Sequence, residues 1–165
     1  MKKMKKLTSL LLVLVMSLAL AVPCFAAEPK DTVPSDVKKI GDTWTVGEYT
    51  FEYVEAEKAA PMPRDNYIVY GRHYTREYTA NFVWSCCVNS VLRLTFDCSE
   101  SRGDVLADIT AGGKDCGTVL AYAHKSGTIN VSRNGIPVDY ANVYVHMYPV
   151  GELMDVTFYA YECNG

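Results

Sequence analysis

A long alternation of apolar and polar residues constrains the fold of this chain more than any other feature. From Tyr74 onward the even positions are mostly apolar, including Ala80, Phe82 and Trp84, whereas the odd positions are mostly polar. A period of two residues is that of a β-strand, because a helix repeats every 3.6 residues. The parity persists to Cys98, and strands rarely exceed about ten residues, so a turn or bulge is expected near Asn89-Ser90. The weaker alternative is a short helix over 80–90.

Shorter runs of the same kind occupy the rest of the chain. Its apolar residues are mainly valine and tyrosine, the types that suit a pleated sheet, and 12 residues are tyrosine. Roughly nine strands at short intervals are typical of an antiparallel β-sandwich, with a small β-barrel as the alternative. Besides the long run, the predicted strands are Thr43–Val46, Tyr49–Val54, Tyr67–Tyr70, Val105–Ala111, Thr118–Ala123, Thr128–Arg133, Ile136–Val138, Ala141–Tyr148 and Leu153–Cys163.

One of the expected turns has a specific signature. Asn134-Gly135 lies between two apolar runs and predicts a type I′ β-hairpin turn, because both residues tolerate positive φ. The segment from Asn134 to Val145, with its NGIPV and ANVYV stretches, is similar to a hairpin common in immunoglobulin-like bacterial modules. That resemblance implies an immunoglobulin-like or related sandwich.

The N-terminus differs from the rest of the chain. Residues 1–26 carry four lysines, then an apolar run, then small residues, which predicts a cleaved secretory signal peptide of the Gram-positive style. Residues 27–40 are predicted to be a disordered spacer, and residues 41–165 a single domain. Residues 1–26 hold four of the 16 basic and none of the 19 acidic residues, so the remainder has a net charge of −7 instead of −3. The excess of acidic over basic residues argues against a nucleic-acid partner. The apolar run of the leader is too short for a membrane span.

Five cysteines remain after the leader: Cys86, Cys87, Cys98, Cys116 and Cys163. Disulfides are expected in an exported chain, and an odd number leaves one thiol over. The predicted pairs are Cys98 with Cys116, and Cys163 with Cys86 or Cys87. Buried reduced cysteines are the alternative.

The cysteines also allow an enzyme hypothesis. A cysteine hydrolase needs a thiol and a histidine that activates it, which Cys86 or Cys87 could supply together with His124 or His146. No supporting motif accompanies them, so the hydrolase is kept as an alternative to a protein with no catalytic residues. The histidines lack the spacing of metal ligands, and neither a metal nor a cofactor is predicted.

The tyrosines favour a binding role. Val143, Val145 and Met147 are expected to face inward, which would leave Tyr144, His146 and Tyr148 as an outward aromatic stripe. Aromatic rings with a polar end suit a glycan or a protein partner. The sequence therefore predicts a secreted, non-catalytic binding module for a glycan or an extracellular protein, of undefined oligomeric state. A secreted toxin or inhibitor-like effector is a further alternative.

Overall fold

The computed structural model describes residues 33–56, 66–86, 90–134, 139–151 and 153–164. Within these ranges the regular structure is entirely β, and no helix is long and apolar enough to cross a membrane. The ten strands are β1 (Thr43–Val46), β2 (Tyr49–Glu55), β3 (Asn66–Tyr74), β4 (Tyr78–Cys86), β5 (Ser90–Asp97), β6 (Val105–Ala111), β7 (Lys114–Ala121), β8 (Ser126–Arg133), β9 (Asp139–Pro149) and β10 (Val156–Asn164).

The strands form two antiparallel sheets that pack face to face. The larger sheet has the order β1-β2-β8-β5-β10-β3, and the smaller one has the order β4-β9-β6-β7. The predicted β-sandwich is confirmed. The barrel alternative is wrong, because two separate sheets do not close into one.

The predicted parity defines the core. Ala80, Phe82, Trp84 and Cys86 of β4 all point between the sheets and are buried, whereas Val83 is exposed. The long run consists of two strands in different sheets, since β4 ends at Cys86 and β5 begins in the larger sheet. The helix alternative fails because residues 80–86 are strand; the predicted turn at Asn89 lies outside the described residues.

Gly135 of the predicted hairpin turn lies outside the described residues, but the pairing of β8 leaves no free edge for a hairpin partner after Asn134. Strand β8 is paired on both sides, with β2 and with β5, so it has no free edge for β9. Strand β9 instead lies between β4 and β6 in the other sheet. Asn134 therefore follows the last residue of a central strand, and its backbone N–H donates to the Glu48 carbonyl oxygen. The predicted strand Ile136–Val138 lies outside the described residues.

Three strand limits differ from the predicted ones by three residues or more. The strand expected to end before Gly71 continues through it to Tyr74, with irregular register against β10. Strand β7 begins at Lys114 rather than Thr118, and the last strand begins at Val156 rather than Leu153.

The last residues of the predicted spacer lie against the sandwich. Val37 is 6% exposed and contacts a small apolar cluster on the outside of the smaller sheet, with Leu106, Leu120 and Tyr148. The backbone of Lys38 donates to Thr118 O and accepts from Leu120 N, which covers the edge of β7. The packed part of the chain therefore includes residues that the sequence assigns to a spacer. Residues 1–32, which include the predicted leader, lie outside the described residues.

Candidate functional site: the outer face of the smaller sheet

The side of the smaller sheet that faces away from the core is the candidate site, and we call it the outer face. Strand β9 runs through its middle. Val143, Val145 and Met147 of this strand are fully buried in the core, so the intervening side chains point outward. The outward residues of the face are Thr79, Asn81 and Val83 on β4, Asp108 and Thr110 on β6, Thr118 on β7, and Tyr140, Asn142, Tyr144 and His146 on β9.

Two tyrosines of β9 are its most exposed rings. Tyr140 is 70% exposed and Tyr144 is 39% exposed. They are four residues apart on one strand, which separates them by about 13 Å, and Asn142 lies between them on the same face. Tyrosine rings that remain this accessible present a flat apolar surface to a ligand.

Polar side chains of neighbouring strands flank Tyr144. Asn81 of β4 stands opposite it on one side, and Thr110 of β6 stands opposite it on the other. Opposed residues of antiparallel strands lie within side-chain reach of each other. The ring is therefore bordered by an amide and a hydroxyl, which can donate or accept hydrogen bonds beside it.

His146 joins two carboxylates across the sheet. Its Nε2 lies 2.8 Å from Oε1 of Glu77, just before β4, and its Nδ1 lies 3.8 Å from Oδ2 of Asp108 on β6. An ionised carboxylate only accepts hydrogen bonds, so Nε2 carries the proton in the contact with Glu77. Asp108 also accepts from the Thr118 hydroxyl at 2.5 Å and from the Tyr148 hydroxyl at 3.2 Å. These contacts hold the imidazole and both carboxylates at the end of the tyrosine row.

The predicted stripe is placed as parity requires, but its three members are not equally accessible. Tyr144 and His146 are accessible, whereas Tyr148 is only 7% exposed because it contacts Val37 and the apolar cluster beneath it. Its ring centroid lies 5.2 Å from that of His146, so it supports the imidazole from below. Tyr140, the most exposed ring, was not part of the predicted stripe, although it shares the parity of Tyr144.

Known proteins do not help to interpret this face. Comparisons with family models, with curated proteins and with solved structures give no match.

The predicted disulfide between Cys98 and Cys116 is wrong, because both residues are buried free thiols. Cys98 follows β5 of the larger sheet, whereas Cys116 lies on β7 of the smaller sheet. Burial, followed by the nearby carboxylates of Asp97 and Asp104, raises the pKa of the Cys98 thiol to about 12. Such a thiol is protonated and therefore weakly nucleophilic.

The second predicted disulfide, between Cys163 and Cys86, is also absent. Among the described cysteines no disulfide is present, so Cys86 and Cys163 are not joined. Cys86 points into the core at the end of β4, whereas Cys163 lies half-buried near the end of β10. Cys87 lies outside the described residues.

The structure keeps Cys86 and His146 of the hydrolase hypothesis apart, and Cys87 lies outside the described residues. Cys86 points into the core, whereas His146 lies on the outer face of the same sheet. His146 stands opposite Thr79, seven positions from Cys86 and therefore about 23 Å away along the strand. His124 is exposed in the turn after β7, and its backbone N–H donates to the carbonyl of Cys98. Within the described residues, no cluster of three or more potential metal ligands is found.

Proposed function

We propose that the protein is a secreted, non-catalytic module that binds a glycan on the outer face of its smaller sheet. The observation that carries this proposal is the row of Tyr140, Asn142, Tyr144 and His146 along β9. The two exposed rings offer apolar surface to the C–H faces of two sugar rings. The amide, the imidazole and the carboxylate of Asp108 offer hydrogen bonds to hydroxyl groups between and beside them.

A glycan fits this face better than a protein partner does. The centre of a protein interface is depleted of charged residues and enriched in large apolar side chains. The outer face instead mixes Glu77, His146 and Asp108 with short polar side chains, and Val83 is its exposed aliphatic residue. This composition supports recognition of a hydroxyl-rich ligand.

The binding proposal is tested by affinity electrophoresis in native gels that contain a soluble polysaccharide. The panel covers cell-wall, mucin-type and plant glycans. We expect at least one to retard the full chain, and Tyr144→Ala to abolish most of the retardation. Tyr78→Ala is the matched control, because Tyr78 is 43% exposed and lies at the start of β4, outside the row. Equal retardation of both variants, or none by any polysaccharide, would argue against the proposal.

The proposed location outside the cell rests on the predicted leader and has a separate test. The full chain is expressed in a Gram-positive host, and the protein in the culture medium is sequenced from its N-terminus. We expect the sequence to begin at Ala27. Retention of the intact chain in the cells would contradict export.

A further inference from the structure

The two sheets have four edge strands, and three of them carry features that discourage pairing with another chain. Strand β1 has only four residues. Strand β7 is covered by the backbone of Lys38 and by the Trp44 indole, which donates to Cys116 O at 2.8 Å. Strand β3 has register shifts against β10, a positive φ at Gly71, and the cationic side chain of Arg72. Short length, cover, irregularity and charge are the usual protections of a sheet edge.

Strand β4 lacks these protections. Its nine residues, YTANFVWSC, include no charged side chain and no proline. It pairs with β9 over nine consecutive positions without a register shift, and within the described residues no strand pairs with its other edge. A long, regular and uncharged edge is a template on which another extended chain can form backbone hydrogen bonds.

The free edge of β4 borders a groove. Strands β3 and β4 lie in different sheets and are joined by Thr75–Glu77, so their edges meet where the rings of Tyr74 and Tyr78 stack at 4.4 Å. Beyond this stack a groove of about 250 Å³ opens between the strands. Its apolar lining is Ile68 and Val69 from β3 and Ala80 and Phe82 from β4, and its polar lining includes Arg72 and Asn81.

We propose that an extended segment of another protein adds to the edge of β4 as an eleventh strand. Successive side chains of a strand point to opposite faces, so every second side chain of the segment would point between the sheets. One large apolar side chain would fill the groove against Ile68 and Phe82. A neighbouring carboxylate would pair with Arg72, whose guanidinium also donates a hydrogen bond to the Tyr74 side chain.

The charge at the groove favours a foreign segment over a second copy of this chain. If two copies paired through β4, each would bring the same uncharged strand to the edge of the other. Arg72 would then face no carboxylate from the added strand. An acidic segment supplies the missing charge, and a guanidinium pairs with a carboxylate in a geometrically specific way.

The probe is a fluorescein-labelled peptide, Thr-Val-Thr-Phe-Thr-Glu-Thr, titrated with the full chain and followed by fluorescence polarisation. Two control peptides carry either Lys in place of Glu or N-methyl groups on alternate backbone amides. We expect binding by the first peptide alone, with Arg72→Glu weakening it by about tenfold or more. Arg76→Glu is the matched control, because Arg76 is exposed in the connection to β4 and does not line the groove. Tyr144→Ala is expected to leave peptide binding unchanged, which separates this site from the outer face.

Three results would overturn the proposal. The first is no change in polarisation at about millimolar protein, which excludes a dissociation constant below about 1 mM. The second is binding that N-methylation leaves intact, because an added strand needs its backbone donors. The third is a dimer, seen by sedimentation velocity, that forms equally well with Arg72→Glu and excludes the peptide. That result would assign the edge to a second copy.

Discussion

The imidazole Nε2 of His146 lies 2.8 Å from the carboxylate Oε1 of Glu77. This contact links β9, an inner strand of the smaller sheet, to the residue that precedes its edge strand β4. Both side chains are accessible to solvent, so the contact orients His146 beside Tyr144 more than it stabilises the sheet. Exposed ion pairs contribute at most about 1 kcal/mol. The contact therefore belongs to the arrangement of the proposed binding face.

Substitution of Glu77 tests this interpretation. We expect Glu77→Gln to lower the free energy of unfolding by less than about 1 kcal/mol, measured by urea denaturation, while weakening retardation by the bound polysaccharide. Glu52→Gln is the control, since Glu52 is an exposed carboxylate of the larger sheet that accepts from the Asn130 amide. A loss of several kcal/mol for Glu77→Gln would show that the contact holds the sheet together instead.

Alternate residues of β4 face the core and the solvent, so substitutions at neighbouring positions should change the free energy of unfolding by very different amounts. Trp84 is fully buried between the sheets, whereas Val83 is 52% exposed on the outer face. We expect Trp84→Ala to lower the free energy of unfolding by about 3–5 kcal/mol, because it leaves a cavity in the core. Val83→Ala should change it by less than about 0.5 kcal/mol. Comparable losses for the two variants in urea denaturation would contradict the placement of the strand.

The alternation of buried and exposed residues is the part of the fold that the sequence predicts well. Burial of every second residue is a local requirement of a half-buried strand, so the β class, the inward side of β4 and the outward direction of Tyr144 were all predictable. Strand pairing is not a local property. Asn134-Gly135 has hairpin chemistry, but both sides of β8 are occupied by strands distant in sequence, and this excludes the local partner.

The candidate site was predictable only in part for a similar reason. Parity places Tyr148 on the outer face, yet Val37, more than one hundred residues earlier, covers it. The link from Glu77 through His146 to Asp108 joins three segments whose proximity depends on the sheet order. Cysteine pairing likewise depends on which strands face each other, and Cys98 and Cys116 belong to different sheets.

Val37 anchors the segment that precedes β1. It is 6% exposed, and it contacts Tyr148 and the apolar cluster on the outside of the smaller sheet. We expect Val37→Ala to lower the free energy of unfolding by about 1–2 kcal/mol, because roughly two buried methyl groups are lost. Val33→Ala is the control, since Val33 is exposed, and it should have no measurable effect in urea denaturation. Equal stability of both variants would contradict the docking of this segment.

The buried thiol of Cys98 makes stability depend on alkaline pH. Its pKa is raised to about 12 by burial, from an ordinary value of 9.0, so the unfolded chain loses this proton at a lower pH than the folded protein. The folded protein then binds more protons than the unfolded chain, and stability must fall as pH rises from about 9 toward 12. The contribution of Cys98 to this slope is up to about 1.4 kcal/mol per pH unit.

The measurement is urea denaturation of the wild type and of Cys98→Ala across this range. The wild type also carries tyrosines with raised pKa, so the difference between the two slopes isolates Cys98. We expect the variant to have the shallower slope, whatever its stability at neutral pH. Identical slopes would mean that the thiol is accessible to solvent in the folded protein.

The row of Tyr140, Asn142, Tyr144 and His146 is the proposed glycan site. The most direct test is a two-dimensional NMR titration of the full chain with the polysaccharide that retards it most, using resonances assigned by sequence. We predict chemical-shift changes concentrated on these β9 residues and on Thr110 beside them, and lost in Tyr144→Ala. Changes that instead cluster at the groove between β3 and β4, or that persist in Tyr144→Ala, would contradict glycan binding at this row.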